Sequence, residues 1–193
     1  PGPVVLDVPI DVALTPVAPE RVPPFGAPSS AARPVPSPAS VEVAAELFNQ
    51  AERPALIVGD GSLAVDIEAA LERFVTATGT PAFSTTLTRG MLPGGHPLNG
   101  GGLTSLGALQ ALGGETPDAV ILVGAAGGLL LGGRDFTSLV GGAKVIQLHL
   151  DPAEIGRLGP VDIGVLGDLA AGLDALTERA VARDRSEWAA QAV

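Results

Sequence analysis

Short runs of apolar residues, each ending at a glycine or an aspartate, most constrain the fold of this 193-residue chain. The clearest runs are residues 55–58 and 119–123, which stop at Gly59 and Gly124. Runs of this length, separated by helical patterns, are typical of strands that are buried on both faces of a parallel sheet. The sequence therefore predicts a doubly wound, Rossmann-like α/β domain over residues 37–182, with about six parallel strands and helices on both faces.

The other predicted elements continue this alternation of strands and helices. Capping and periodicity predict helices from Pro38 to about Gln50, from Ile67 to a cap at Gly79, and onward from Asp168. Further strands are predicted over residues 81–84, 143–150 and 161–166. Ligands of such sheets bind beyond the carboxyl ends of the strands, so the loops there form the candidate site.

Proline separates a leader from the predicted domain. Eleven of the 18 prolines lie in residues 1–38, which indicates an extended connector between domains. Residues 3–10 are β-branched and apolar, and they predict a strand that needs a partner sheet. At the other end, residues 183–193 are predicted to begin a linker, with Trp188 anchoring the tail against the last helix.

Charge and composition exclude several functions. A net charge of −10 argues against a nucleic-acid partner, and no apolar run approaches the ~18 residues of a membrane span. The absence of cysteine excludes disulfides, thiolate metal sites and thiol catalysis, and it favours a reducing, cytoplasmic compartment. The first residue is not Met, which suggests a fragment of a larger protein.

Catalytic residues are not predicted within the chain. His96 and His149 have no acidic partner at metal-ligand spacing, and both are interpreted as structural. The serines lack the G-x-S-x-G pattern of a nucleophile elbow. A dinucleotide fingerprint starting at Gly59 would need a third glycine near position 64, where this chain has Ala64.

Five motifs in a fixed order carry a resemblance to a known family. They are GPVVLDVPIDV at residues 2–12, AERP at 51–54 with the following strand and GDG, RGMLP and HPL within 89–98, LHLDPAEIG at 148–156, and VDIGVLGD at 161–168. Their order resembles the central domain, with its preceding linker, of thiamine-diphosphate-dependent enzymes of the acetolactate synthase, benzaldehyde lyase and oxalyl-CoA decarboxylase group. The resemblance covers nearly the whole chain and implies a DHS-like NAD/FAD-binding fold.

This resemblance implies a parent enzyme and a division into domains. Residues 1–12 correspond to the last strand of a truncated pyrimidine-binding domain, and residues 13–36 to a proline-rich linker. In the family, the preceding domain supplies the catalytic glutamate, and the following domain holds thiamine diphosphate and Mg. The parent is expected to be a homodimeric or homotetrameric transferase or lyase, namely a carboligase, decarboxylase or lyase acting on 2-oxo acids or acyloins. The chain alone is expected to be catalytically incompetent.

The resemblance also implies a candidate nucleotide site, because some relatives bind FAD or ADP at the strand-end loops of this domain. Carried over by position, the cofactor-binding candidates are Gly59, Gly61, Thr86, Gly124, Ala125, Glu154, Ile155, Asp168 and Leu169. The family's Gly-Ala-Arg after the strongest strand is here Gly124-Ala125-Ala126, and the next arginine is Arg134. This departure favours an empty structural domain over one that holds FAD.

The GDG turn at residues 59–61 is not interpreted as a metal site. In thiamine-diphosphate enzymes a metal-binding GDG is followed by Asn-Asn, whereas Asn49 and Asn99 of this chain are far apart. Two other functions stay open: a self-standing module that binds FAD, ADP or NAD, and a non-catalytic interaction domain.

Overall fold

The computed structural model describes residues 4–22, 24, 32–125, 141–157 and 159–193. The chain divides into two compact units, residues 1–32 and residues 33–193.

The first unit contains one short helix, α1 (Ile10–Ala13), and a 3-10 turn at Pro19–Arg21 among its described residues. Residues 4–9 belong to no helix or strand, so the strand predicted over 3–10 is not formed there. A strand needs a partner for its backbone hydrogen bonds, and the assignment of residues 1–12 to the sheet of another domain stays a prediction. Part of the predicted linker, residues 23 and 25–31, lies outside the described residues.

The second unit is built on a six-stranded parallel sheet in the order β3-β2-β1-β4-β5-β6. Its strands are β1 (Pro54–Val58), β2 (Ala82–Ser84), β3 (Asn99–Gly102), β4 (Ala119–Val123), β5 (Lys144–His149) and β6 (Ile163–Leu166). This order reverses between β1 and β4, which is the topological switch point of a doubly wound sheet. The predicted fold class is confirmed.

The described helices of this unit are α2 (Pro38–Gln50), α3 (Glu68–Thr78), α4 (Leu103–Ala111), α5 (Leu169–Arg179) and α6 (Ser186–Ala192). The predicted signals set several of their ends. Gly79 ends α3 with a left-handed φ of +66°. The Asp168 carboxylate accepts a hydrogen bond from the backbone N–H of Ala171 and so caps the start of α5.

Strand β3 was not predicted, because glycine fills most of its sequence and glycine is rare inside strands. The structure gives a reason for Gly100. A Cβ at this position would lie 2.4 Å from the Cε1 atom of the Phe83 ring on β2. Glycine therefore lets the aromatic ring of the neighbouring strand pack directly on the β3 backbone.

Two apolar clusters cover the two faces of the sheet. The first face packs against α2, α3 and α5, and the second packs against α4 and α6. On the second face, the Trp188 side chain is buried, and its Nε1–H donates a hydrogen bond to the carbonyl oxygen of Pro54 at 2.7 Å. The tail was predicted to pack on the helix that begins after Asp168, here α5. Trp188 instead anchors the tail on β1. The connection from 183–193 to a further domain stays a prediction.

None of the described helices combines the length and the hydropathy needed to span a membrane.

Candidate functional site

The candidate site is the carboxyl edge of the sheet, where the loops after β1 and β4 meet at the switch point. The N–H of Gly59 donates to the carbonyl oxygen of Val123 at 2.9 Å, and the N–H of Gly61 donates to that of Gly124 at 2.8 Å. A Cβ at Gly59 would lie 2.3 Å from the Cα of Ala125. The structure therefore brings the predicted residues Gly59, Gly61, Gly124 and Ala125 together, and the two loops that carry them are in direct contact.

Gly124 is the second glycine at which the loops after β1 and β4 pack directly on each other. Its φ is +57°, and a Cβ there would lie 2.5 Å from the backbone nitrogen of Ser62. Ser62 is fully buried, and its hydroxyl donates to the carbonyl oxygen of Val123 at 3.0 Å. Both the backbone conformation and the available space therefore require glycine at this position. The glycines of this edge are explained by loop-to-loop packing within the chain.

His149 ends β5 beside the same contact. A Cβ at Gly61 would lie 2.9 Å from the His149 Nε2 atom, so the imidazole packs against the backbone of the turn after β1. The Nδ1 atom lies 3.0 Å from the backbone nitrogen of Asp151 and 3.2 Å from its carbonyl oxygen, so the ring is held against the loop after β5. The ring thereby joins the turn after β1 to the loop after β5.

Thr86 follows β2 and is exposed. Its neighbours tie the loop down. Thr85 is buried and donates its hydroxyl hydrogen to the Asp60 carboxylate, and the Thr88 hydroxyl donates to the carbonyl oxygen of Val58 at 2.8 Å. The carboxylate in the GDG turn is thus engaged by the loop of the adjacent strand. Within the described ranges, no three His, Cys, Asp or Glu side chains are grouped closely enough to hold a metal ion.

Gln147 is a residue of this edge that the sequence interpretation missed. Its side chain is buried on β5, and its Nε2 donates to the carbonyl oxygens of Ala125 and Glu154, both at 2.9 Å. Its Oε1 accepts the N–H of Gly156 at 2.8 Å. One amide therefore fixes the loops after β4 and β5. The available signal was a lone glutamine inside an apolar run, since a buried amide has to find partners.

Glu154 and Ile155 lie in the loop that Gln147 holds. The Glu154 carboxylate accepts a hydrogen bond from Nε of Arg157 at 2.7 Å. Ile155 packs on β6, where a Cβ at Gly164 would lie 2.4 Å from its Cγ2 atom. Both side chains therefore have structural partners within the loop and the adjacent strand.

Asp168 and Leu169 begin α5 at the far side of the edge. Leu169 is buried in the first core cluster. Oδ1 of Asp168 caps the helix, while Oδ2 forms an ion pair with Arg33 at 3.1 Å. The second terminal nitrogen of Arg33 donates to the carbonyl oxygen of Ala64 at 3.3 Å. Arg33 thus connects two strand-end loops, and nothing in its proline-rich surroundings predicted this role.

The described residues of this edge form hydrogen bonds with one another, including the pair of the Thr85 hydroxyl and the Asp60 carboxylate. Arg134 and the loop beyond Ala125 lie outside the described residues. The described part of the edge acts as a closed, hydrogen-bonded scaffold.

Comparison with known proteins agrees with this architecture. Residues 41–176 match the family model described as the central domain of thiamine pyrophosphate enzymes. The acetolactate synthase large subunit of Corynebacterium glutamicum is 32% identical over 196 aligned residues, which cover 97% of this chain and 31% of that protein. Glyoxylate carboligase of Escherichia coli O157:H7 is 30% identical, covering 98% of this chain and 33% of that protein.

A solved structure shows the same fold. A Mycobacterium smegmatis protein, described as a thiamin diphosphate-dependent enzyme, superimposes with a TM-score of 0.64 at 25% identity. The match covers 84% of this chain and 31% of that one. The chain thus spans about a third of the length of the relatives that it matches. Because the family model matches most of the chain, this chain belongs to the family of thiamine pyrophosphate enzyme central domains.

Proposed function

We propose that this chain is the spacer domain of a cytoplasmic, thiamine-diphosphate-dependent carboligase, decarboxylase or lyase that acts on 2-oxo acids or acyloins. The names of its relatives support this class, since they include an acetolactate synthase, a glyoxylate carboligase and an oxalyl-CoA decarboxylase. Because the chain spans about a third of their length, further domains are implied. We propose that these domains bind the pyrimidine and diphosphate ends of the cofactor, and that the parent is a homodimer or homotetramer.

The closure of the carboxyl edge is the observation that carries the spacer role. A Cβ at Gly59 or Gly124 would meet backbone atoms of the facing loop at 2.3 to 2.5 Å, so these turns leave no cradle between them. The Asp60 carboxylate is engaged by Thr85. The described residues therefore do not fit thiamine diphosphate or Mg, and no catalytic step is assigned to this chain. Its residues hold the loops and the sheet in one fixed arrangement.

FAD or ADP would have to bind on the outside of these closed turns. The exposed candidate Thr86 and the partly exposed side chains of Glu154 and Asp168 would then contact the nucleotide, with Gly59, Gly61, Gly124, Ala125, Ile155 and Leu169 forming the surface beneath it. Arg33 already occupies one oxygen of Asp168, so a ribose hydroxyl or an adenine amine would compete with it. A nucleotide-binding module is therefore the second candidate and not the favoured one.

Titration calorimetry on this chain tests the proposal directly. We expect no micromolar binding of FAD, ADP, NAD or thiamine diphosphate with Mg²⁺, and no turnover of pyruvate in their presence. Micromolar binding of a nucleotide would contradict the spacer role and favour the module. A ligand-free, stable dimer of this chain would instead favour the interaction domain.

The flanks of the gene provide an independent test of the parent enzyme. We expect an upstream domain with a catalytic glutamate and a downstream GDG followed by Asn-Asn, and we expect the full polypeptide to turn over a 2-oxo acid. A complete reading frame without either domain would contradict the proposal.

A further inference from the structure

The segment 181–193, here called the C-terminal arm, crosses from one face of the sheet to the other. Helix α5 packs on the first face, whereas Trp188 and Ala192 of α6 belong to the apolar cluster on the second face. Residues 181–184, between the two helices, are exposed. The arm therefore passes the amino-terminal edge of the sheet, opposite the edge that holds the candidate site.

Arg185 fixes the arm at this crossing. Its side chain is buried, with one terminal nitrogen donating to the carbonyl oxygen of Thr78 at 2.8 Å and the other to that of Ala51 at 3.1 Å. Thr78 ends α3 and Ala51 follows α2, so the cation lies at the negative ends of two helix dipoles. The arm is thereby tied to two helices of the first face.

The burial of Arg185 is also energetically unfavourable in two respects. Burial lowers the pKa of Arg185, and no described carboxylate lies within ion-pair distance of its guanidinium. Its Nε–H is buried and has no hydrogen-bond partner in the described structure. The Asp118 carboxylate acts on this cation only over a distance, without an ion pair, so the buried guanidinium with its unsatisfied donor pays a desolvation penalty that its other contacts have to offset. This contact is therefore weaker than its burial alone indicates.

Trp188 provides the second attachment, through its hydrogen bond to Pro54 and its burial among the side chains of the second face. Helix α6 has only seven residues, so it is too short to be stable without this packing. If the contacts of Arg185 and Trp188 break, the buried Ala192 is the remaining member of the helix in the apolar cluster. Loss of the helix would uncover apolar residues of the central strands, among them Ala55 and Val120.

We propose that the C-terminal arm is a strap that opens as one unit about residues 181–184, with Arg185 as its latch. Opening exposes the second apolar face while β1 and β4 stay paired. In the parent enzyme, the strap would set the stiffness of the connection to the proposed following domain. That last consequence rests on the proposed function, whereas the opening itself does not.

Hydrogen exchange followed by mass spectrometry on the 193-residue chain tests the strap. In the wild type, peptides covering 186–192 are expected to be protected, but to exchange at least about tenfold faster than peptides covering β4. Arg185→Gln is expected to accelerate exchange across 185–193 about tenfold or more, and to leave β4 unchanged. Arg183→Gln is the matched control, because Arg183 is exposed two residues away on the same segment. It should leave the exchange of the arm unchanged.

Two results would overturn the strap. One is exchange of 186–192 at the same rate as β4 in the wild type, since the arm would then open only with the whole domain. The other is an unchanged arm in Arg185→Gln. If that variant does not fold, Trp188→Phe provides the second test, because it keeps an aromatic ring and loses the hydrogen bond to Pro54. We then expect faster exchange confined to the arm. None of these readouts depends on turnover or nucleotide binding, so their failure leaves the proposed function standing.

Discussion

The guanidinium carbon of Arg185 lies 4.9 Å from the centroid of the Phe48 ring, which places a buried cation against an aromatic face. Such pairs contribute about 0.5–1 kcal/mol at exposed sites and about 2 kcal/mol when they are desolvated. We expect Phe48→Leu to lower the free energy of unfolding by about 1–3 kcal/mol, from the lost packing and the lost cation–π contact. In an Arg185→Met background the same change should cost about 1 kcal/mol less. Urea denaturation of the single and double variants measures this coupling.

Phe83→Leu is the control for that cycle. Phe83 is equally buried but belongs to the cluster on the other face of the sheet. The stability lost in Phe83→Leu should add to that lost in Arg185→Met, because the Phe83 ring packs on Gly100 of β3 and the guanidinium packs on Phe48. Strict additivity for Phe48 as well would show that the ring contributes only apolar packing.

The closure of the carboxyl edge predicts unequal effects of alanine at glycine positions. Gly59→Ala places a methyl 2.3 Å from the Cα of Ala125, a backbone atom that cannot move aside cheaply. We expect a loss of about 2–4 kcal/mol or failure to fold. Gly94→Ala is the control, because a methyl there meets nothing within 4 Å, and it should be neutral or stabilise by up to about 1 kcal/mol. Thermal denaturation compares the two, and a Gly59→Ala chain as stable as the wild type would contradict the close packing of these two loops.

The fold was largely predictable because its strongest signals are local. A buried apolar run such as 119–123, or a glycine at a helix end such as Gly79, carries its structure in its own sequence. The contacts that define the candidate site are not local. Arg33 meets Asp168 across 135 positions, and Ser62 meets Val123 across 61. Sequence patterns placed the strand-end residues at one edge, but they could not show that Gly59 and Ala125 fill each other's space.

The buried amide of Gln147 predicts that replacing it costs more stability than changing a neighbouring residue of the same segment. Gln147→Leu removes the partners of the Ala125 and Glu154 carbonyl oxygens and of the Gly156 N–H. We expect a loss of about 2–4 kcal/mol, because unsatisfied buried polar groups cost more than the bonds themselves contribute. Leu150→Gln, which changes a half-buried neighbour, should cost less. Chemical denaturation is the measurement, and a Gln147→Leu chain as stable as the wild type would show that water replaces the amide.

Asp162 predicts a defined dependence of stability on pH. A hydrogen bond from the Lys144 ammonium, then one from the Val145 N–H, lowers the pKa of Asp162. A carboxyl with a lowered folded-state pKa stabilises the fold fully above its unfolded-state pKa, near 3.8, and loses this contribution as the pH falls through the folded value. Because the pair is largely exposed, we expect Asp162→Asn to cost below about 1 kcal/mol at pH 7. Urea denaturation at a series of pH values measures this cost. The difference in unfolding free energy between Asp162→Asn and the wild type should vanish below the folded-state pKa of Asp162. A difference that grows on acidification would contradict this assignment.

Pro36 and Gly167 join the end of the proline-rich connector to the corner between β6 and α5. Gly167 has a φ of +152°, and a Cβ there would lie 2.6 Å from the backbone nitrogen of Pro36, which is buried. We expect Gly167→Ala to cost about 2–4 kcal/mol, from backbone strain and displacement of the connector. Arg33→Ala removes a half-exposed ion pair at the same corner and an exposed hydrogen bond to Ala64, and it should cost about 1 kcal/mol or less.

Gly107→Ala separates this effect from a general response to alanine. Gly107 lies inside α4, where a methyl meets nothing within 4 Å, so the change should stabilise the helix by about 0.5–1 kcal/mol. Hydrogen exchange of residues 33–40 identifies the cause of the loss in Gly167→Ala, since protection should fall at the connector first. Equal losses of unfolding free energy in Gly167→Ala and Arg33→Ala would mean that the ion pair holds the connector. The packing of Pro36 against Gly167 would then not be what holds it.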